Sequence, residues 1–441
     1  MEFTPWTLFS DLGIIAALLL AGKLLRVYVK FIQKLFIPPS LIAGLLGLLL
    51  GPNGLGVLPL SNFISVYPAV LIAMVFGALP LSSPKIEFKS TFKRIAPLWA
   101  YSQLGMLFQW GVLGILGFSL FKWIWPSLND AFAVMLPTGF YGGHGTAAAI
   151  GEAFATSGWD EAGSLGMTTA TIGVILAIIF GLLFIKIAAR KGFTSYITDF
   201  DNLPDEMRSG LIPHEKRESA GKRTTSSISI ESLTFHFALV LICSFSGWLI
   251  SRGVKSAMPR LDLPVFSCAF VTGLCFKQIF DHTRVSEYID RSTISNISSF
   301  STDLLVAFGV ASIKLAVVVK YAVPLIVLIL VGTIVVYFTV FYFGKRFLGK
   351  GWFEKSIFAW GWWTGTMAMG IALLRIVDPK QESKAMDDYA LAYLPCAPVE
   401  ILLITIVPVL FSAGLGLWLA IGCLILSLMI IALVRVMKWG R

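Results

Sequence analysis

The sequence predicts an all-α polytopic membrane protein: about eleven transmembrane helices in two inverted-topology repeats, each with one re-entrant glycine-rich segment. Three observations predict it. Hydrophobic residues make up 56% of the 441 and charged residues only 14%, against roughly 25% charged in a soluble domain. Mean hydropathy is +0.81. Apolar runs near the length that crosses a bilayer, about 20 residues, recur along the whole chain. This composition excludes soluble globular, disordered and disulfide-scaffold classes. The five cysteines (Cys243, Cys268, Cys275, Cys396 and Cys423) all fall in expected spans and read as small apolar residues. The net charge of +10 fits Lys and Arg at membrane faces and gives no reason to expect nucleic acid.

Crossings are expected near 8–28, 36–51, 64–81, 96–121, 165–188, 234–251, 263–280, 296–313, 320–343, 389–412 and 414–436. Two further apolar stretches, 131–150 and 356–375, are short and broken by glycine, and are expected to re-enter rather than cross. No basic region precedes the first apolar run, so a cleaved signal peptide is not expected. With the N-terminus outside and both broken stretches returning to the face they entered from, all but six of the 35 Lys and Arg lie on the cytoplasmic side. The six are Lys122, Arg252, Lys255, Arg260, Lys314 and Lys320. That skew sets the orientation and places the C-terminus inside.

Residues 190–232 are the one long polar stretch, with charges of both signs (Asp199, Asp201, Asp205, Glu206, Arg208, Lys216, Arg217, Lys222 and Arg223). They read as a cytoplasmic linker between a first repeat, 1–189, and a second, 233–412. Residues 413–441 then supply an extra C-terminal transmembrane helix. Five crossings per half is odd, so the second half is inverted. Faint traces agree: Pro38 and Gly47 match Pro264 and Gly273, Pro97 and Gly105 match Pro324 and Gly332, and Thr138-Gly139 matches Thr364-Gly365, at offsets of 226 or 227. Inverted repeats with broken helices are the architecture of secondary transporters.

The first broken stretch runs from Pro137 to Gly151 through Thr138, Gly142, Gly143, His144, Gly145 and Thr146. So many glycines weaken a helix, and bare backbone at membrane depth is tolerated only inside protein or beside a cavity. Such a loop offers N–H groups to an anion, and a helix starting after it aims its positive end at a carboxylate. Close packing of small residues explains the same glycines. His144 reads either as a ligand donor or proton carrier, or as a structural donor to loop carbonyls.

The second broken stretch holds Thr364, Gly365 and Thr366, with Trp362 and Trp363 before them and Arg375 after. Entering from the opposite face, its tip and the first would meet near the midplane and form one site. The tryptophans wall that site or belong to an interfacial belt. Arg375 either grips a substrate carboxylate or flanks the membrane. Among the membrane acids, Asp303 and Glu400 are candidate sodium ligands, because hard cations take oxygen donors. Asp303 is strengthened by Ser298, Ser299, Ser301 and Thr302 beside it. The alternatives are a helix-end acid or a structural pair. No G-x-x-x-x-G-K-[ST], H-E-x-x-H or C-x-x-C occurs, so neither a built-in P-loop ATPase nor a motif-borne catalytic centre is expected.

At these residues the chain resembles the bacterial sodium/glutamate symporter family, as a divergent member. The resemblance rests on Gly142-Gly-His-Gly-Thr-Ala-Ala148, Ile37-Pro38, Leu263-Pro264-Val-Phe266, and the stretch from Asn296-Ile-Ser298 to Lys314-Leu315. It covers roughly 1–412. It departs in the second tip, where Trp362-Trp363, Met367 and Met369 stand in place of small residues. The resemblance implies a homodimeric, sodium-coupled inner-membrane symporter of glutamate or a related small carboxylate, working by alternating access with a mobile transport domain. It implies no cofactor beyond sodium as coupling ion, and no enzymatic activity. A channel or a membrane enzyme without transport is the alternative.

Overall fold

The computed structural model describes residues 3–83, 88–195, 208–217, 219–258, 263–349, 351–378 and 382–439. Several charges used in the sequence reading (Lys85, Asp199, Asp201, Asp205, Glu206, Arg260, Lys350, Lys380 and Arg441) lie outside the described residues, as do the side chains of Lys89, Lys93 and Arg94.

Among the described residues the chain is helical throughout, without strands. Its first half contains α1 (Pro5–Tyr28), α2 (Pro39–Leu50), α3 (Tyr67–Ser82), α4 (Phe88–Leu116), α5 (Met135–Phe140), α6 (Gly143–Thr156) and α7 (Ala162–Arg190). The second contains α8 (Ser232–Ala257), α9 (Val265–His282), α10 (Arg291–Ala311), α11 (Ala322–Phe338), α12 (Trp352–Thr364), α13 (Met367–Val377) and α14 (Ala385–Ser412), and α15 (Gly416–Val436) follows. The ends carry ordinary helix signals. Pro5 opens α1 at the position where its missing N–H costs nothing, and Asp290 caps α10 by accepting from the Thr293 amide.

Nine of the eleven expected crossings are long and apolar enough to span a membrane. The other two are helices as well. The first, α2, has 12 residues, about 18 Å at 1.5 Å per residue, against a hydrocarbon thickness of about 30 Å. The second, α9, has 18 residues, diluted by Thr272, Lys277, Gln278 and Asp281. Both hold the second place in their half. Two other helices also correspond: α4 and α11 each run into a π-helical segment at their C-terminal end, Gly117–Phe121 and Thr339–Phe343.

The compact units cut across the halves. Unit one comprises Met1–Gly22, Ser40–Ile86 and Ile212–Ile313, and so takes most of α1 with α2 and α3 from the first half and α8–α10 from the second. Unit two comprises Lys23–Pro39, Glu87–Leu211 and Lys314–Arg441. It takes α4–α7, α11–α14 and the extra helix α15.

Unit one packs through small residues. A methyl group on Gly44 would stand 2.6 Å from Val310 Cβ, and one on Gly47 2.9 Å from Ala311 Cβ. In the same buried cluster Tyr67 lies edge-on to Phe308, with ring centroids 5.0 Å apart. Asp11, near the start of α1, is buried and fully engaged. It accepts from the Ser61 amide at 2.9 Å, the Ser61 hydroxyl at 2.5 Å and the Tyr67 hydroxyl at 2.8 Å. Three donors offset the desolvation of that carboxylate and tie the segment after α2 back to α1.

Candidate functional site

Both broken stretches lie in unit two, and each is a helix–break–helix. In the first, α5 ends at Phe140 and the chain turns through Tyr141 and Gly142. It passes Gly143 in the left-handed region at φ +64° and resumes as α6. In the second, α12 ends at Thr364, Gly365 breaks it, and Thr366 in extended conformation starts α13 by accepting from the Met369 amide at 3.4 Å.

The two breaks touch. A methyl group on Gly143 would stand 3.1 Å from the Gly365 carbonyl oxygen and 3.4 Å from Thr366 Cγ2. The N-termini of α6 and α13 therefore come together. The amides of a helix's first turn have no partner within the helix, and no side chain caps α6. Two sets of N–H groups and two positive dipole ends meet at one place, an arrangement that stabilises a carboxylate.

One helix, α7, holds both breaks. A methyl group on Gly139 would collide with Thr169 and Ala170, and one on Gly173 would collide with the Thr364 carbonyl. Trp360 Nε1 donates to the Ala177 carbonyl at 3.0 Å. His144 is buried, with Nε2 3.1 Å from the Thr171 hydroxyl. The glycines thus divide between the two uses open to them. Gly139, Gly151 and Gly361 give close helix approach, whereas Gly143 lies at the tip contact with a conformation other residues avoid.

The remaining sequence-selected residues are placed as follows. Thr138 and Thr364 donate to their own helices, to the Val134 carbonyl at 2.8 Å and the Trp360 carbonyl at 2.6 Å, leaving their lone pairs available. Gly142, Gly145 and Thr146 belong to the first tip, and a methyl group on Gly142 would collide with the Thr146 side chain. Arg375 sits nine residues along α13 from Thr366, about 13 Å, and its buried Nε has no partner among the described residues. Trp362 and Trp363 are buried inside unit two rather than displayed at a belt. Trp363 packs on Tyr101 with centroids 4.7 Å apart, and Trp362 on Tyr141 at 5.4 Å.

Glu400, on α14, is paired with the Tyr393 hydroxyl, and its other oxygen is buried without a partner among the described residues. Pro395 and Pro398 lie inside the same helix, and, having no N–H, leave the backbone carbonyls one turn before them without their usual helical partner, oxygens of the kind a hard cation takes. Asp303 belongs to unit one. Its partner is Ser40 from α2, which the sequence did not suggest. Of the hydroxyls beside it, Ser301 and Thr302 donate to the carbonyls of Ile297 and Ser298, each at 2.9 Å.

Sequence reasoning missed the polar face of α4. Gln109 Nε2 donates to the Trp363 carbonyl at 3.3 Å, and Tyr141 donates to the Ser102 carbonyl at 3.3 Å. The Gln109 Oε1, Ser102 Oγ, Trp363 Nε1 and both Gln103 amide atoms are buried without partners among the described residues. The signal was present: Ser102, Gln103 and Gln109 interrupt an otherwise apolar span, and polar groups at membrane depth mark function. Thr171, the partner of His144, carried no such signal within its own helix.

A family model described as sodium/glutamate symporter matches residues 7–370. The sodium/glutamate symporter of Escherichia coli (strain K12) is 24% identical over 349 residues, covering 78% of this chain and 81% of that one. The sodium/glutamate symporter of Shigella flexneri matches with the same identity and coverage.

Proposed function

Because the chain belongs to the sodium/glutamate symporter family, a family of transporters and not of enzymes, we propose that it couples sodium entry to uptake of glutamate or a related small carboxylate. The observation that carries the reading is the contact between Gly143 and Gly365–Thr366, which sets two helix N-termini against each other inside one compact unit. The first-turn amides of α6 and the Met367 and Ala368 amides that open α13 receive the substrate carboxylate. Thr146, Thr366 and His144 supply further polar atoms around it. Glu400, with the carbonyls freed by Pro395 and Pro398, and Asp303 are the sodium ligands to test.

In this reading the chain is two inverted repeats. The matching order of helices supports it, as do the short second helix in each half and the π-helical ends of α4 and α11. Unit two carries both tips and moves as the transport body in alternating access, and two copies make the working transporter, as the family resemblance implies. The N-terminus faces outward and the linker and C-terminus face the cytoplasm. A Ser219→Cys variant is then labelled in inside-out vesicles and not in intact cells.

The function itself is tested by equilibrium binding of amino acids and dicarboxylates to the purified protein with and without sodium. Saturable glutamate binding that tightens as sodium rises is expected. Binding of no acidic ligand, or binding indifferent to sodium, overturns the proposal.

A further inference from the structure

Helix α15 lies beyond the stretch matched by the family model, yet it is built into unit two. Methyl groups on Gly111 and Gly114 of α4 would stand 2.8 Å from the Leu424 amide nitrogen and 2.6 Å from Ala420 Cβ of α15. At its C-terminal end α15 and the continuation of α11 enclose a groove of about 260 Å³. The floor is apolar, with Phe343, Phe347 and Val434 buried in it, while Arg346, Arg435 and Lys438 line it and are exposed.

No carboxylate lines the groove, and none of the three cations has a carboxylate partner among the described residues. Arg346 is already positioned: its Nη1 donates to the Tyr342 carbonyl at 3.2 Å, and its guanidinium lies 3.6 Å from the centre of the Tyr342 ring. A general excess of basic residues at a membrane face accounts for cations at helix ends. It does not account for three converging on one groove with an apolar floor, where mutual repulsion goes uncompensated. A ligand with an anionic oxygen group above and hydrocarbon below fits both features. Arg is suited to paired hydrogen bonds with phosphate oxygens, and basic pockets between transmembrane helices hold phospholipid headgroups.

We propose that this groove binds the phosphate headgroup of an anionic phospholipid, which bridges the C-terminal ends of α11 and α15 and holds the extra helix to the transport unit. The test is native mass spectrometry of the full-length protein in detergent, titrated with phosphatidylglycerol or phosphatidylcholine. The parent is expected to bind phosphatidylglycerol at least tenfold more tightly. Each cation near an anionic headgroup is worth about fivefold in affinity. The Arg346→Gln/Arg435→Gln/Lys438→Gln variant should therefore lose about a hundredfold, and a Lys30→Gln/Lys34→Gln control, changed at exposed cations elsewhere, should lose nothing comparable. If the triple variant does not fold, the single variants Arg435→Gln and Lys438→Gln are each expected to weaken binding about fivefold. Unchanged phosphatidylglycerol binding in the variants overturns the proposal, as does equal binding of the two lipids. Displacement of the lipid by equimolar glycerol 3-phosphate overturns it too, since the groove would then be a site for a free phosphate.

Discussion

Gly143 and Gly365 lie in close contact: a methyl group on Gly143 would stand 3.1 Å from the Gly365 carbonyl oxygen. One glycine comes from the first half of the chain and the other from the second. Their contact joins the two halves at the place where two helices begin.

Gly143 combines that contact with φ +64°, and substitution separates the two demands. Valine tolerates neither, whereas asparagine enters the left-handed region readily. Gly143→Val is expected to lower thermal stability, by about 1–3 kcal/mol for the strained backbone, and to abolish glutamate binding. Gly143→Asn should keep most of the stability and still weaken binding tenfold or more, because its side chain occupies the contact. Affinity and unliganded Tm, measured together, check this. Parent-like affinity in the asparagine variant removes Gly143 from the site.

Gly173 shows the contrasting behaviour. A methyl group there would collide with the Thr364 carbonyl, and backbone yields less easily than a flexible side chain. Gly173→Ala is expected to cost about 1–3 kcal/mol of stability, the range for overpacking, with loss of binding in proportion. A Tm equal to the parent's would show that α7 does not hold the second tip as described.

The all-helical fold, the order of its long apolar helices and the two glycine breaks were legible in the sequence because bilayer thickness and glycine content act locally, over twenty residues or fewer. Three things were not. The compact units take helices from both halves, and nothing in a local pattern says whether α3 packs with α4 or with α10. Ser40 beside Asp303 and Thr171 beside His144 are partners supplied by other helices, invisible to a reading that looks only at sequence neighbours. The glycines of the two tips are identical as letters, and only three-dimensional contacts distinguish Gly139, which lets α5 approach α7, from Gly143, which lines the tip contact.

Asp303 is an exposed carboxylate in a membrane helix, partnered by Ser40. Asparagine keeps its shape and its hydrogen bonding and removes its attraction for a cation. Asp303→Asn is expected to leave Tm within a degree or two of the parent's and to raise the sodium concentration needed for half-maximal binding at least tenfold. An unchanged sodium dependence rules Asp303 out as a ligand.

Asp290 supplies a pH dependence. Burial pushes its carboxyl upward, but the Thr293 hydroxyl and amide, the Lys222 amide and His236 outweigh that and hold it below the ordinary range. A carboxyl lowered in the folded state contributes stability that is complete above its ordinary value, about 3.9, and is lost as pH falls through the lowered one. The Tm of the parent should therefore fall over the acid interval that begins as pH drops below about 4. Asp290→Asn, which still caps the helix, should show a shallower fall over that interval. Identical slopes contradict the assignment.

The most direct test of the account is uptake by the purified protein in sealed proteoliposomes with an imposed inward sodium gradient. Glutamate should accumulate saturably above its external concentration, only while the gradient lasts, and the gain should vanish when an ionophore collapses the gradient. Sodium conductance without saturable uptake, or uptake that ignores the gradient, would contradict it.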